Sequence, residues 1–480
     1  MDFKWKQKRP EDCGVSPQAI LETINQCEEE IQYCHGLLIA KDGCLLTEAF
    51  WNPERADIMR NGYSLGKSLV SIAIGFAIDE GKLKLETRVL PYFEDELPAE
   101  FDQRLKELTV KDLLTMRASS ATASTVFQNV PDDKWVTYYL SLPPFAAPGT
   151  EFHYDTGGMY LLSCLITKVT GKNTLEYLRA KLLNPLEIKD CRWLEDGKGR
   201  NVGGWGIYLN CHDELKIAMV LANKGRWQEK QLIPEWYVNE LAVSKSDTRE
   251  DPGLGWEYGY SYGFWKGMGS VFIAFGAFGQ LWICNPSNGM AVVTASGCSH
   301  EANKKLMEII QKTLILNTQK DSIPYEQEAY EALQKKISEL SLPCPGGRNA
   351  SGLNVYNKNY ILEENEEGYE SVCFSQKEKD VLLLEWRING CLFSLNAGYQ
   401  NWITQESDIE PQPNYIHSLS YAWISESVLV VMQYQLNQPS GRRYQFTFRG
   451  EEIQFTQYLQ PKLSEETSRM ISGRSIYEER

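Results

Sequence analysis

Four short stretches of this chain carry residue types that together could do chemistry. Ser64-Leu65-Gly66-Lys67 is its only S-x-x-K, and on a helix that spacing sets hydroxyl and amine on one face, a turn apart. The tetrapeptide alone is weak evidence, since an exposed Ser and Lys on an ordinary helix would read the same. Here the residues that follow, SLVSIAIGFAIDE, are almost wholly apolar, so Lys67 would be buried without a partner unless it had work to do. Burial lowers a lysine pKa, and a neutral amine can take the proton of a serine hydroxyl. A helix start adds backbone N–H groups and a dipole that favour a developing anion.

The second stretch is Tyr154-Asp155-Thr156, reached through the Pro148-Gly149 turn and followed by Gly157-Gly158. A tyrosine on such a loop is more often packing than chemistry, but after an S-x-x-K a phenol can relay a proton to a leaving group. The third is Ala274-Phe275-Gly276-Ala277-Phe278-Gly279-Gln280. Glycines inside a strand weaken it and often mark close approach of a ligand to the backbone; the N–H of Ala277 with that of Ser64 would make an oxyanion hole. The fourth, Gly203-Gly204-Trp205-Gly206, is a tight loop whose tryptophan either lines a pocket or caps the core.

The elements that must position these residues can be read around them. HGLLIAKDGCLLTEAFW is two strands about an Asp42-Gly43 turn, a strong hairpin signal. Ser64 to Glu80 is a buried helix stopped at Gly81. From about Leu108 to Glu240 the pattern is mainly helical. GSVFIAFGAFGQLWICNPSNGMAVVTASG reads as a hairpin of central strands across Asn-Pro-Ser-Asn-Gly. Strands at both ends with helices between them imply one unit, residues 1–317, whose sheet gathers distant segments. A polar, helical connection follows over 318–345, and strand runs with Asn-Gly and Arg-Gly-Glu-Glu turns make 346–480 a small antiparallel β domain.

Composition sets the outer bounds. With 480 residues, 42% hydrophobic and 24% charged, the chain is a globular protein of at least two domains. A net charge of −15 with only short basic clusters argues against nucleic acid as a partner. No apolar run reaches the roughly 20 residues of a membrane helix, and the first residues have no apolar signal core; a cytoplasmic location without membrane partner is the expectation. The 12 cysteines form no C-x-x-C pair and the five histidines no ligand spacing, so free thiols, no metal and no cofactor are expected. Of the histidines only His153 falls near the motifs.

A serine with lysine three on, then Y-x-[NST], then a glycine-rich strand resembles the β-lactamase and penicillin-binding serine hydrolases, in particular their class C-like branch with its esterases, D-aminopeptidases and 6-aminohexanoate-dimer hydrolases. The likeness extends through NGYSLGKSLVSIAIGFAIDEGKLKL, LTVKDLLTM, PGTEFHYDTGGMYLLSCLITKVTGKNTLEYL, LLNPLEI, GGWGIYLN, QLIPEWYV and GAFGQLWICNP, roughly residues 14–316. It implies an α/β (α+β) fold with an antiparallel sheet flanked by helices, an inserted helical domain, and a site between them. It further implies acylation of Ser64, Lys67 as base, Tyr154 as proton relay and Thr156 in the second motif's polar position; Thr156, Trp205, Phe275 and Gly276 are the expected substrate-binding residues. One departure stands out. Where many members carry Lys-Thr-Gly or His-x-Gly on the third strand, this chain has Ala274-Phe275-Gly276, so the cation that meets a substrate carboxylate is missing. The expected partner is a small ester, amide or short peptide hydrolysed by a serine hydrolase; the alternative is a catalytically silent binding protein that keeps the fold. Oligomeric state and the β domain's role are not legible.

Overall fold

The computed structural model describes residues 3–31, 33–251, 253–407, 415–460 and 468–476. Its central sheet has seven strands in the order Lys6–Gln7, Cys44–Phe50, Cys34–Lys41, Met290–Ser296, Gln280–Asn285, Phe272–Gly276, Trp265–Lys266. The pairing is antiparallel except where Lys6–Gln7 runs beside Cys44–Phe50. Asp42 and Gly43 both take positive φ, 52° and 76°, the left-handed pair that a two-residue hairpin turn needs. Val292 sits opposite Ile39, so the ends of the first unit meet in the middle of the sheet.

The sequence suggested one hairpin over 269–297, but three strands are present. Phe272–Gly276 and Gln280–Asn285 are separated by a single tight turn, Ala277–Gly279, in which Phe278 has φ 64°. Cys34–Lys41 and Met290–Ser296 are buried along their whole length, as expected of strands covered on both faces. Helix Cys211–Ala222 lies against Gln280–Asn285 and Met290–Ser296; there Trp282 Nε1 donates to Glu214 at 3.1 Å.

Two apolar helices, Leu65–Asp79 and Thr156–Thr170, pack on each other beside the sheet. A three-stranded sheet of Arg60–Tyr63, Ile207–Leu209 and Arg192–Trp193 feeds directly into the first of them. Among the described residues no helix is long and apolar enough to cross a membrane.

Segment 318–345 includes the helix Gln327–Glu339, which packs back on the first helix, Pro17–Glu30. Beyond it lies a closed barrel of ten strands running from Asn359–Leu362 to Ser468–Ile476. Closure comes from a parallel pairing of Gly398 and Tyr399 with Ser420 and Tyr421. Its strands alternate: Leu382, Leu384 and Trp386 point in, as do Tyr444, Phe446 and Phe448 from Gly441–Arg449. Aromatic rings fill the interior, with Trp386 and Phe455 centred 5.4 Å apart. The barrel is not a free appendage, because its Trp402, Met432, Tyr434 and Leu436 belong to the apolar core of the first unit.

Candidate active site

Strand Arg60–Tyr63 delivers Ser64 to the first position before helix Leu65–Asp79. Tyr63 turns the chain there with φ 49°, a conformation that non-glycine residues adopt only when their surroundings hold them. Ser64 stands where a cap would, yet its hydroxyl caps nothing. It meets Lys67 instead: Lys67 Nζ donates to Ser64 Oγ at 2.9 Å and to the carbonyl of Gly204 at 2.6 Å. Lys67 is 1% exposed. Burial lowers its pKa to about 7, and the buried carboxyl of Asp155 offsets only part of that fall. The amine thus has no directly bonded anion, and its two partners are a hydroxyl and a backbone carbonyl.

Tyr154 closes the other side of this pair. Lys67 Nζ lies 4.8 Å from the centre of its ring, and Trp265 stacks on the ring at 5.9 Å and 18°. Burial pushes the phenol's pKa far up, and the adjacent Ser64 hydroxyl opposes that rise. The tyrosine is held by the residue after it. Asp155 turns inward and accepts from Thr122 N at 3.3 Å, from the Thr122 hydroxyl, and from Tyr139 OH at 2.7 Å. A carboxyl with several donors is affordable inside a protein; burial nevertheless raises its pKa. Thr156 is 7% exposed and starts the next helix. His153 pairs with Glu151 at 3.2 Å and rests on Phe145.

The loop Gly203-Gly204-Trp205-Gly206 fits between the two helices only because it is glycine-rich. A Cβ on Gly204 would fall 2.6 Å from Thr156 Cγ2, and one on Gly66 would fall 2.7 Å from the Gly203 carbonyl. That closeness brings the Gly204 carbonyl to Lys67. Trp205 is half-buried and stacks on Phe127 at 5.8 Å and 16°.

The third strand meets the first motif backbone to backbone. A Cβ on Gly276 would lie 2.3 Å from the Gly62 carbonyl, so this glycine admits the chain's own main chain. The contact joins the residue before Ala277 to the segment two residues before Ser64. Phe278, also left-handed, packs edge-on against Tyr63 with ring centres 5.2 Å apart. Ala274 is fully buried, and Phe275 is half-buried with its ring 6.2 Å from Trp265. Of the residues singled out from sequence, Ser64, Lys67 and Tyr154 converge directly, and Thr156, Trp205, Phe275, Gly276 and Ala277 lie on the segments around them. Asp155, the Gly204 carbonyl, Tyr63 and Phe278 were given no role beforehand; Asp155, Gly204 and Phe278 lie inside the stretches singled out from sequence, whereas Tyr63 carried no signal of its own.

Comparison with known proteins identifies the family and the fold. An N-acetylmuramyl-L-alanine amidase of Bacillus subtilis (strain 168) is 25% identical over 182 residues, 32% of this chain and 41% of that protein. The chain thus spans about two fifths of the length of that curated relative. A penicillin-binding protein homologue from Caulobacter crescentus shares the fold with a TM-score of 0.52 at 13% identity, covering 65% of this chain and 100% of that one. A family VIII carboxylesterase does so with a TM-score of 0.51 at 16% identity, covering 65% and 100%. The sequence model of the Beta-lactamase family matches residues 26–312, more than half of the chain, from the end of the first helix to the helix that follows the last sheet strand. By that match, the chain belongs to the Beta-lactamase family.

Proposed function

We propose that the chain is a serine hydrolase that cleaves an ester or amide bond through a Ser64 acyl-enzyme. The observation that carries this reading is the buried Lys67 amine 2.9 Å from Ser64 Oγ with its pKa lowered to about 7 by burial. When Lys67 is neutral, the hydrogen bond reverses, and its nitrogen accepts the hydroxyl proton as Oγ attacks the carbonyl carbon. The N–H groups of Ser64 and Ala277 receive the negative charge that forms on the carbonyl oxygen. Collapse of the tetrahedral intermediate breaks the bond to the leaving group, which takes a proton through Tyr154. Water then attacks the acyl-enzyme by the same steps in reverse, returning the proton to Ser64.

The substrate in this reading is a neutral small molecule or short peptide, with Thr156, Trp205, Phe275 and Gly276 along the cleft. Ala274 is buried and Phe275 is uncharged, so the third strand offers a substrate carboxylate no partner. Lacking a charged hydrogen bond costs about 1.5–3 kcal/mol, or roughly 10- to 150-fold in binding. The test is fluorophosphonate labelling read by intact mass, with kcat/KM for a short-chain p-nitrophenyl ester and for nitrocefin on the same preparation. A single adduct absent from Ser64→Ala, and faster turnover of the ester, are expected. Equal labelling of Ser64→Ala would remove the nucleophile assignment; faster nitrocefin turnover would remove the substrate class.

A further inference from the structure

The turn between barrel strands Val428–Gln435 and Gly441–Arg449 reaches the residues that carry Ser64. Asn437 runs along the strand leading to the nucleophile: its carbonyl accepts from Asn61 N at 3.0 Å, and its side-chain amide donates to the Met59 carbonyl at 2.8 Å. Gln438 goes one step further. Its Oε1 accepts from Tyr63 OH at 3.2 Å and lies 3.5 Å from Asn61 Nδ2, while its Nε2 donates to Tyr208 OH at 3.4 Å. On the far side, the Pro439 carbonyl sits against Gly297, where a Cβ would come within 2.2 Å of it. The next residue, Cys298, donates its N–H to the Phe278 carbonyl at 3.3 Å. The turn therefore touches the chain on both sides of the Tyr63–Phe278 contact.

Tyr63 and Phe278 are the residues that flank Ser64 and Ala277, both are left-handed without being glycine, and their rings pack on each other. Such a backbone persists only where the surroundings over-determine it. A phenol hydroxyl fixed by Gln438 supplies part of that determination from a separate domain.

We propose that Gln438 is a positioning residue: through Tyr63 and Phe278 the barrel sets the relative placement of the Ser64 hydroxyl and the Ala277 amide. The inference rests on the acyl-enzyme reading above. It makes the barrel part of the catalytic unit, although it supplies no group to the reacting atoms.

The experiment uses the full chain and compares Gln438→Ala, Tyr63→Phe, the double variant and Gln438→Glu, which keeps an oxygen acceptor for Tyr63. Turnover of a short-chain p-nitrophenyl ester gives kcat and KM, and thermal denaturation gives Tm. Misplacing a reacting group by a fraction of an ångström lowers kcat about 10-fold with KM little changed. That loss is expected for both single variants, no further loss in the double variant because the two groups act as one contact, and recovery of most of the rate in Gln438→Glu. Wild-type kcat in both single variants, multiplying losses in the double, or a rate loss matched by unfolding at the assay temperature would overturn the proposal. Ser64→Ala run alongside separates the two readings: a labelled Ser64→Ala removes the acyl-enzyme itself, whereas a silent Ser64→Ala with an unaffected Gln438→Ala removes only the role of the barrel.

Discussion

Lys67 is the residue whose environment is least explained by stability. It is buried in an apolar helix with no bonded anion, and burial brings its pKa to about 7, against about 10.4 for a free lysine. Between those values the unfolded chain holds a proton that the folded one does not. Stability from this group is accordingly present at high pH and lost as pH falls toward 7, where the penalty is complete. Replacing it with an apolar side chain of similar length should separate stability from function. Lys67→Met is expected to raise unfolding free energy at pH 7 by roughly 1–2 kcal/mol while lowering ester turnover by at least about 10²-fold. The wild-type kcat/KM should climb with pH through a limb near 7, since only the neutral amine accepts the serine proton. Denaturant titration and a pH–rate profile check both; a less stable Lys67→Met, or a rate flat from pH 5.5 to 8.5, would contradict the assignment. At this scale much was legible beforehand, because the serine and lysine share one helix and their meeting is fixed by its pitch. The Gly204 carbonyl and the bonds from Thr122 and Tyr139 to Asp155 were not, because they join residues tens to more than a hundred positions apart.

At the scale of elements, the corner between the strand ending at Tyr63 and the strand ending at Gly276 would do for the N–H groups of Ser64 and Ala277, the oxyanion hole of the proposed function, what the helix does for Ser64 and Lys67. It depends on one main-chain contact, between Gly276 and the Gly62 carbonyl, too close for any side chain. Gly276 lies at φ −101°, so alanine would meet no backbone strain there, only the steric conflict. Gly276→Ala should therefore push the two strands apart and take the Ala277 N–H out of line, lowering kcat by about 10²-fold, as loss of an oxyanion donor does. Labelling kinetics would show it, with circular dichroism unchanged; full activity would mean that the corner yields without harm. The first hairpin and the helix that follows Ser64 were visible in sequence from Asp42-Gly43 and Gly81. The break between the two later strands was hidden because the first of its two left-handed residues is Phe278, which no turn rule anticipates ahead of Gly279; its ring packs against Tyr63.

For the whole molecule, the question is whether the barrel can be taken away. Its strands were legible from their alternation, but its closure and its seat were not, since the pairing of Gly398 with Ser420 and the docking of residues 402 and 432–439 depend on contacts that local pattern does not encode. The sequence divides the chain into 1–317 and 346–480 across a polar connection, which by itself would let the β domain be cut away, but contacts between the two argue against it. Trp402, Met432, Tyr434 and Leu436 enter the apolar core of the first unit, Tyr434 packs near Tyr33 and His35 at 6.4 and 6.1 Å, and Trp402 Nε1 donates to the Leu342 carbonyl at 3.2 Å. Burying a large apolar side chain is worth about 1.5–3 kcal/mol, so four of them together approach the entire stability of an ordinary domain, about 5–15 kcal/mol. The same cut would also remove the helix Gln327–Glu339, which packs on Pro17–Glu30, and the bonds that Leu340 and Leu342 make to Asn52 at 3.0 and 2.9 Å. A chain ending at Asn317 is therefore expected to be poorly soluble, or to melt at least about 10 °C below the intact protein, given that 1 kcal/mol shifts Tm by about 2–4 °C in a domain of this size. Soluble yield, size-exclusion profile and thermal denaturation of the two chains measure this directly. A monodisperse truncated chain with unchanged Tm and unchanged labelling rate would show that the barrel's side chains fill a surface the first unit can close without them.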